Sequence, residues 1–252
     1  MKIALVQYNP TWEDKDTNRQ KILSLIQDIE GVELIIFPEM TLTGFTMKSV
    51  EMSETINGES FRFFSSVAKE KSANIFAGII ERRDRRNYNT LIHIKPDGTL
   101  VKLYRKIHPF SYSGENEHYN AGAKPAMTKI RKWKIGLTIC YDLRFPELYR
   151  KYGKKKVHLI VNIANWPDTR IGHWRTLLQA RAIENQCYIV GINRVGKDPK
   201  LSYPGFSSLF DPMGKEIVSV ENEEKVIVAE LDKNYVNEVR EKFPFLDDIK
   251  LI

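Results

Sequence analysis

The sequence predicts an α/β protein of layered sheets flanked by helices, and three observations carry that expectation. Strand-like apolar runs alternate with amphipathic helical stretches in both halves of the chain. Two hairpin signals, "PDG" and "DPMG", each sit between runs of period two. The 252 residues, 42% hydrophobic and 28% charged, suit one soluble globular domain spanning 1–252 with a substantial core.

In chain order, "KIALVQY" (2–8) reads as a strand. "DTNRQKILSLIQDIE" follows as an amphipathic helix, with Ile22, Leu25, Ile26 and Ile29 at i, i+3, i+4 and i+7. "VELIIF" (32–37) is a buried strand that completes a β-α-β unit, a second helix is expected in "FRFFSSVAKEKS", and a third strand in "NIFAGII" (74–80). "YNTLIHIKPDGTLVKLYRK" reads as a hairpin, and 107–125 as a loop. The second half repeats the theme: strand "WKIGLTIC", a helix from Pro146, strand "VHLIVNI" (157–163), helix "HWRTLLQARAIENQ" and strand "CYIVGIN" (187–193). A hairpin in "FSSLFDPMGKEIVSV", a strand "KVIVAEL" and a charged helix over 232–242 close the pattern.

Composition excludes several classes. The charge of +7 raises nucleic acid as a partner, but its densest clusters, "ERRDRRN" and "RKYGKKK", lie between apolar runs and interleave no stacking aromatics, so none is expected. No apolar run approaches the roughly 20 residues that span a bilayer, so no membrane association is expected. "MKIALVQYNP" reads as a first strand rather than a signal peptide, and two cysteines suit a reducing compartment; a cytoplasmic location follows. Five histidines without paired spacing predict no metal site, and the lack of a glycine-rich phosphate loop predicts no cofactor. The apolar tail "FPFLDDIKLI" (243–252) must be tied down on its own domain or on a partner, which suggests a homodimer.

Three reactive side chains stand just past strand-like runs, where α/β proteins concentrate their sites. Glu39 follows "LIIFPEM", Lys106 follows "LVKLYRK" and Cys140 ends "KIGLTIC". Each has an ordinary reading: a helix cap or surface ion pair for Glu39, a solvated lysine for Lys106, a core thiol for Cys140. Together they form a chemical set. Glu39 would take the proton of Cys140 and return it to a leaving amine, while Lys106 and the backbone N–H of Tyr141 would hold the oxyanion.

The segments "FPEM", "YRKIH" and "CYDLRFPE", in that order and 67 and 34 residues apart, resemble the nitrilase or carbon-nitrogen hydrolase superfamily, and the similarity runs over nearly the whole chain. "ANWP", "HW", "ARAIENQ" and "REKFP" are similar to its omega-amidase branch, which deamidates 2-oxo acid amides. The resemblance implies a four-layer αββα sandwich, paired through its helical layer into a dimer, and a triad of Glu39, Lys106 and Cys140. It also implies a second glutamate shortly after the lysine, for which Glu115 is a better match than Glu117.

Arg144, four residues after the cysteine, would make a bidentate pair with a substrate carboxylate, or a structural ion pair with Asp142 or Glu147. Tyr141 would contribute to the substrate site, and Trp166 would wall the pocket or simply pack. The expected ligand is a small amide, with 2-oxoglutaramate and 2-oxosuccinamate first. An N-carbamoyl amino-acid or aliphatic amidase on the same triad, and an inactive relative that only binds, are the alternatives. Cys187 and the helical face of Trp174, Leu177, Leu178 and Ala182 read as core.

Overall fold

The computed structural model describes residues 1–251 and stacks two mixed sheets between two helical layers. In chain order come β1 (Lys2–Gln7), α1 (Lys15–Ile26), β2 (Leu34–Ile36), α2 (Ser49–Met52), α3 (Glu59–Lys71), β3 (Asn74–Arg83), β4 (Arg86–Ile94) and β5 (Leu100–Arg105). The second half supplies α4 (Glu115–His118), β6 (Ala126–Ile130), β7 (Trp133–Ile139), α5 (Pro146–Lys154), β8 (Leu159–Ile163), α6 (Ile171–Asn185) and β9 (Tyr188–Ile192). β10 (Val195–Lys197), β11 (Ser202–Phe210), β12 (Glu216–Glu221), β13 (Lys225–Glu230) and α7 (Lys233–Lys242) finish it.

The first sheet runs β13-β1-β2-β3-β4-β5, with β1, β2 and β3 parallel. The second runs β10-β11-β9-β8-β7-β6, with β12 beside β11 and β7, β8 and β9 parallel. Continuous apolar strands follow from burial on both faces. In β1, Ile3 and Leu5 point to the second sheet, while Ala4 and Val6 meet Ile22, Ile26, Phe64 and Val67 of α1 and α3. On the far side, Leu148 and Tyr152 of α5 and Trp174 and Leu178 of α6 cover the second sheet. This is the αββα sandwich that the resemblance implied.

Local chemistry sets the helix ends. Asp14 caps α1 through the Thr17 amide at 3.0 Å, Pro146 occupies the first turn of α5, and Asp232 caps α7 through the Asn234 amide. α1 stops at Ile26, so Ile29 reaches the core from beyond the helix. Four elements escaped the sequence reading: the edge strand β6, and α2, α4 and β10, whose three or four residues are too few to build a periodic signal. The segment 107–125 is not plain loop. Glu115 accepts the Phe110 amide and folds the chain into two short helical turns over Ser111–His118.

The tail docks partly on its own domain. Gln186 donates to the Phe243 carbonyl at 2.8 Å, Lys156 pairs with Asp247 at 2.9 Å and Leu246 is buried, while Phe245 and Leu251 are exposed. Residue 252, the last of the expected interface tail, lies outside the described residues. Among those residues no helix is long and apolar enough to cross a membrane.

Candidate active site

Parallel strands that end at one level deliver their following residues to one place. Glu39 stands three residues past β2, Lys106 directly past β5 and Cys140 directly past β7. Cys140 (φ 45°) and Met40 (φ 44°), the neighbour of Glu39, both occupy the left-handed region, which turns the chain sharply at each strand end. The Cys140 amide donates to Asn162 Oδ1 at 2.9 Å and fixes that turn. The next amide, of Tyr141, belongs to the first amides of a 3-10 turn, which no carbonyl of that turn can satisfy. Glycine at 78 makes room for Glu39, since a Cβ there would lie 2.8 Å from Glu39 Cα and closer still to the Met40 amide nitrogen.

Lys106 joins two carboxylates. Its Nζ is 2.9 Å from Glu39 Oε1 and 2.8 and 3.1 Å from the two oxygens of Glu115, and all three side chains are buried. Glu115 is thus the glutamate beside the lysine; Glu117 is exposed. Asn89 donates to both carboxylates, at 2.6 Å to Glu39 Oε1 and 2.9 Å to Glu115 Oε1. Glu39 Oε2 accepts the Asn165 amide at 2.9 Å, and the Asn165 carbonyl lies 3.9 Å from Cys140 Sγ.

Electrostatics follow from this crowding. Burial opposes the charge on Lys106, but Glu115 and Glu39 outweigh it and hold its pKa well above the ordinary lysine value. Burial, aided by the Glu39 charge and opposed by Lys106, raises the Glu115 carboxyl. The Cys140 thiol is pushed well up by burial and then by Glu39, with Lys106 acting in the opposite direction.

Cys140 and Lys106 line a common cleft, with Tyr141, Arg144, Asn165 and Trp166 in its walls. Arg144 forms no ion pair among the described residues. Asp142 is instead taken by the Tyr104 hydroxyl at 2.7 Å, the Ile139 amide at 2.9 Å and the His108 ring at 2.7 Å. The Arg144 guanidinium lies 5.0 Å from the Trp166 ring centroid, with Nη2 3.2 Å from His173 Nδ1. Sequence reading missed Asn89, Asn165 and a second cleft arginine, Arg170, whose guanidinium lies 5.4 Å from the Phe110 ring. Asn165 carried a signal, being two residues past β8; Asn89, inside β4, carried none. Among the described residues no group of His, Cys, Asp and Glu is arranged to hold a metal ion.

A thiol, an ammonium and two carboxylates thus gather at the strand ends of an αββα sandwich, the set of groups that hydrolysis through a thiol nucleophile needs. The profile of the carbon-nitrogen hydrolase family matches residues 2–241, and the chain belongs to that family. It is 32% identical over 251 residues to the 2-oxoglutaramate amidase of Bacillus subtilis (strain 168), covering 98% of this chain and 97% of that one. It is 35% identical over 250 residues to the omega-amidase YafV of Escherichia coli (strain K12), covering 98% and 96%. Among solved structures, a CN-hydrolase superfamily protein of Xanthomonas campestris with an arsenic adduct in its active site superposes with a TM-score of 0.96 at 32% identity, covering 100% of this chain and 98% of that one.

Proposed function

We propose that this carbon-nitrogen hydrolase is an omega-amidase that releases ammonia from the terminal amide of small carboxylate-bearing substrates, 2-oxoglutaramate and 2-oxosuccinamate first among them. The names of the Bacillus and Escherichia relatives support the amide class. The carrying observation is the closed cluster of Glu39, Lys106 and Glu115 beside Cys140, in a cleft whose wall holds the unpaired guanidinium of Arg144.

In this reading Glu39 removes the Cys140 proton as Sγ bonds to the amide carbon. Burial and the nearby Glu39 charge favour the protonated sulfur, so proton transfer accompanies attack rather than preceding it. Lys106 Nζ and the Tyr141 amide bind the oxyanion, each such donor contributing about 3–4 kcal/mol to the transition state. Glu39 passes the proton to the leaving nitrogen, ammonia departs, and a thioester remains on Cys140. Water then attacks with Glu39 as base, the acid leaves, and the thiol is restored. Glu115 and Asn89 hold Lys106 and Glu39 in place. Arg144, beside the Trp166 ring, takes the distal carboxylate in bidentate fashion.

Ammonia release from paired carboxylated and neutral amides of equal length tests this. Arg144→Ala is expected to raise KM at least tenfold for carboxylated substrates and to leave neutral ones nearly unchanged. Equal effects on both would remove the carboxylate role and favour an aliphatic amidase. The chain is further proposed to act as a homodimer, a reading supported by exposed Ile183, Met213 and Phe245.

A further inference from the structure

The cleft beside Cys140 is walled on one side by a hairpin that the chemistry above does not use. β10 and β11 are joined by a turn over 198–201, and Leu201 and Tyr203 from this hairpin line the cleft. Behind Tyr203 lies a second, more open cavity, whose lining includes Asn9, Asp168, Lys197, Asn222 and Glu224. Tyr203 is the residue common to the two linings. We propose that Tyr203 is a specificity-determining stop: its ring closes the active-site cleft against the neighbouring cavity and sets the longest acyl chain that Cys140 accepts. The inference rests on the amidase reading and adds to it a limit on substrate length.

The ring is held as a wall rather than as a mobile lid. Tyr203 is buried, its hydroxyl donates to Asp198 Oδ2 at 2.5 Å, and its face lies 4.5 Å from the Arg194 guanidinium. Asp198 Oδ1 accepts the Lys200 and Leu201 amides at 2.7 Å each, which ties the turn to the same carboxylate. Arg194 is itself buried and fixed by Asn9 Oδ1 at 2.9 Å and by the carbonyls of Val195 and Lys197 at 3.1 and 3.0 Å. A cation stacked beneath an aromatic ring resists the rotation that would open the passage. Removing the ring joins two cavities, whereas removing the hydroxyl alone leaves the partition standing.

The test measures kcat/KM for ammonia release over two series of linear primary amides, one neutral and one ω-carboxylated, with wild type, Tyr203→Ala, Tyr203→Val and Tyr203→Phe. Each methylene newly received is worth about fourfold, so Tyr203→Ala is expected to raise the long-over-short ratio about fifteenfold for two added methylenes. Tyr203→Val gives a smaller rise and serves if the alanine variant does not fold. Tyr203→Phe, which keeps the ring, leaves the ratio at the wild-type value. A loss of support for Arg194 would instead slow all chain lengths alike. Alkylation of Cys140 by iodoacetamide and by N-butyl iodoacetamide, in which sulfur displaces iodide to form a thioether, reads the same ratio by mass spectrometry without turnover. Were wild type to release no ammonia from either series, the amidase reading would fall while the labelling ratio still decided the stop. An unchanged ratio in a folded alanine or valine variant, or a phenylalanine variant that shifts as far as alanine, overturns it.

Discussion

Replacing Glu115 with glutamine probes how the charge on Lys106 is kept. Glu115 accepts from three groups: Lys106 Nζ, which lies within reach of both its oxygens, Asn89 and the Phe110 amide. A glutamine has one acceptor oxygen, so either orientation points its NH₂ at another N–H. The unsatisfied buried group alone costs about 1–3 kcal/mol. At 2.8 Å, with an effective dielectric of about 20, the lost ion pair represents up to about 6 kcal/mol of Coulomb energy. Glu39 remains as a partner, which places the loss near the low end of the about 3–5 kcal/mol found for breaking buried pairs. The expected result for Glu115→Gln is a fall in kcat/KM of about 100-fold. The sign of the pH effect also follows. Burial lowers the Lys106 pKa and the carboxylates raise it, so removing one carboxylate moves the alkaline limb of the rate profile to lower pH. Ammonia release measured across pH, with thermal unfolding as a fold check, reads both. A folded variant keeping more than a tenth of wild-type activity with an unshifted alkaline limb would refute the reasoning.

Three further outcomes are expected. Cys140→Ala releases no ammonia while its Tm stays within about 3 °C of wild type, as one small buried group changes; residual turnover measured with excess enzyme would remove the nucleophile. Gly78→Ala drives a Cβ into the Glu39–Met40 backbone, costing about 1–3 kcal/mol in urea unfolding and most of the activity; a stable, fully active variant would contradict the close approach. His93, buried between Thr128 at 2.7 Å and Asn74 at 2.9 Å, has its ring pKa lowered to about 4 by burial with help from Lys95. The unfolded chain binds its proton near 6.5 and the folded chain does not until about 4, so this stability is present above pH 6.5 and is lost as pH falls. About 2 kcal/mol should disappear between pH 7 and 5 in urea titrations, and His93→Gln should lessen that fall. An equal fall in the variant would clear His93 of the effect.

What the sequence determined by itself is whatever depends on neighbours along the chain. Composition marks β1, β2, β7, β8 and β9 as strands, because short, mostly apolar runs bounded by polar residues suit burial between layers. Glu39, Lys106 and Cys140 were legible because each stands at or just past the end of a strand-like run. Tertiary structure decided what depends on residues meeting from afar. The resemblance favoured Glu115 over Glu117, but only packing shows that Glu115 faces Lys106 while Glu117, on the same short turn, is exposed. Asn89 reaches Glu39 across 50 residues and Asn165 across 126, through strand registers that no local pattern encodes. Packing alone decides that Asp142 bonds to Tyr104, Ile139 and His108 rather than to Arg144. Tyr203 became part of the cleft wall only because β10 and β11 fold back beside Cys140. Chain-local energies write the elements; the stacking of two sheets brings their ends together, and chemistry begins where those ends meet.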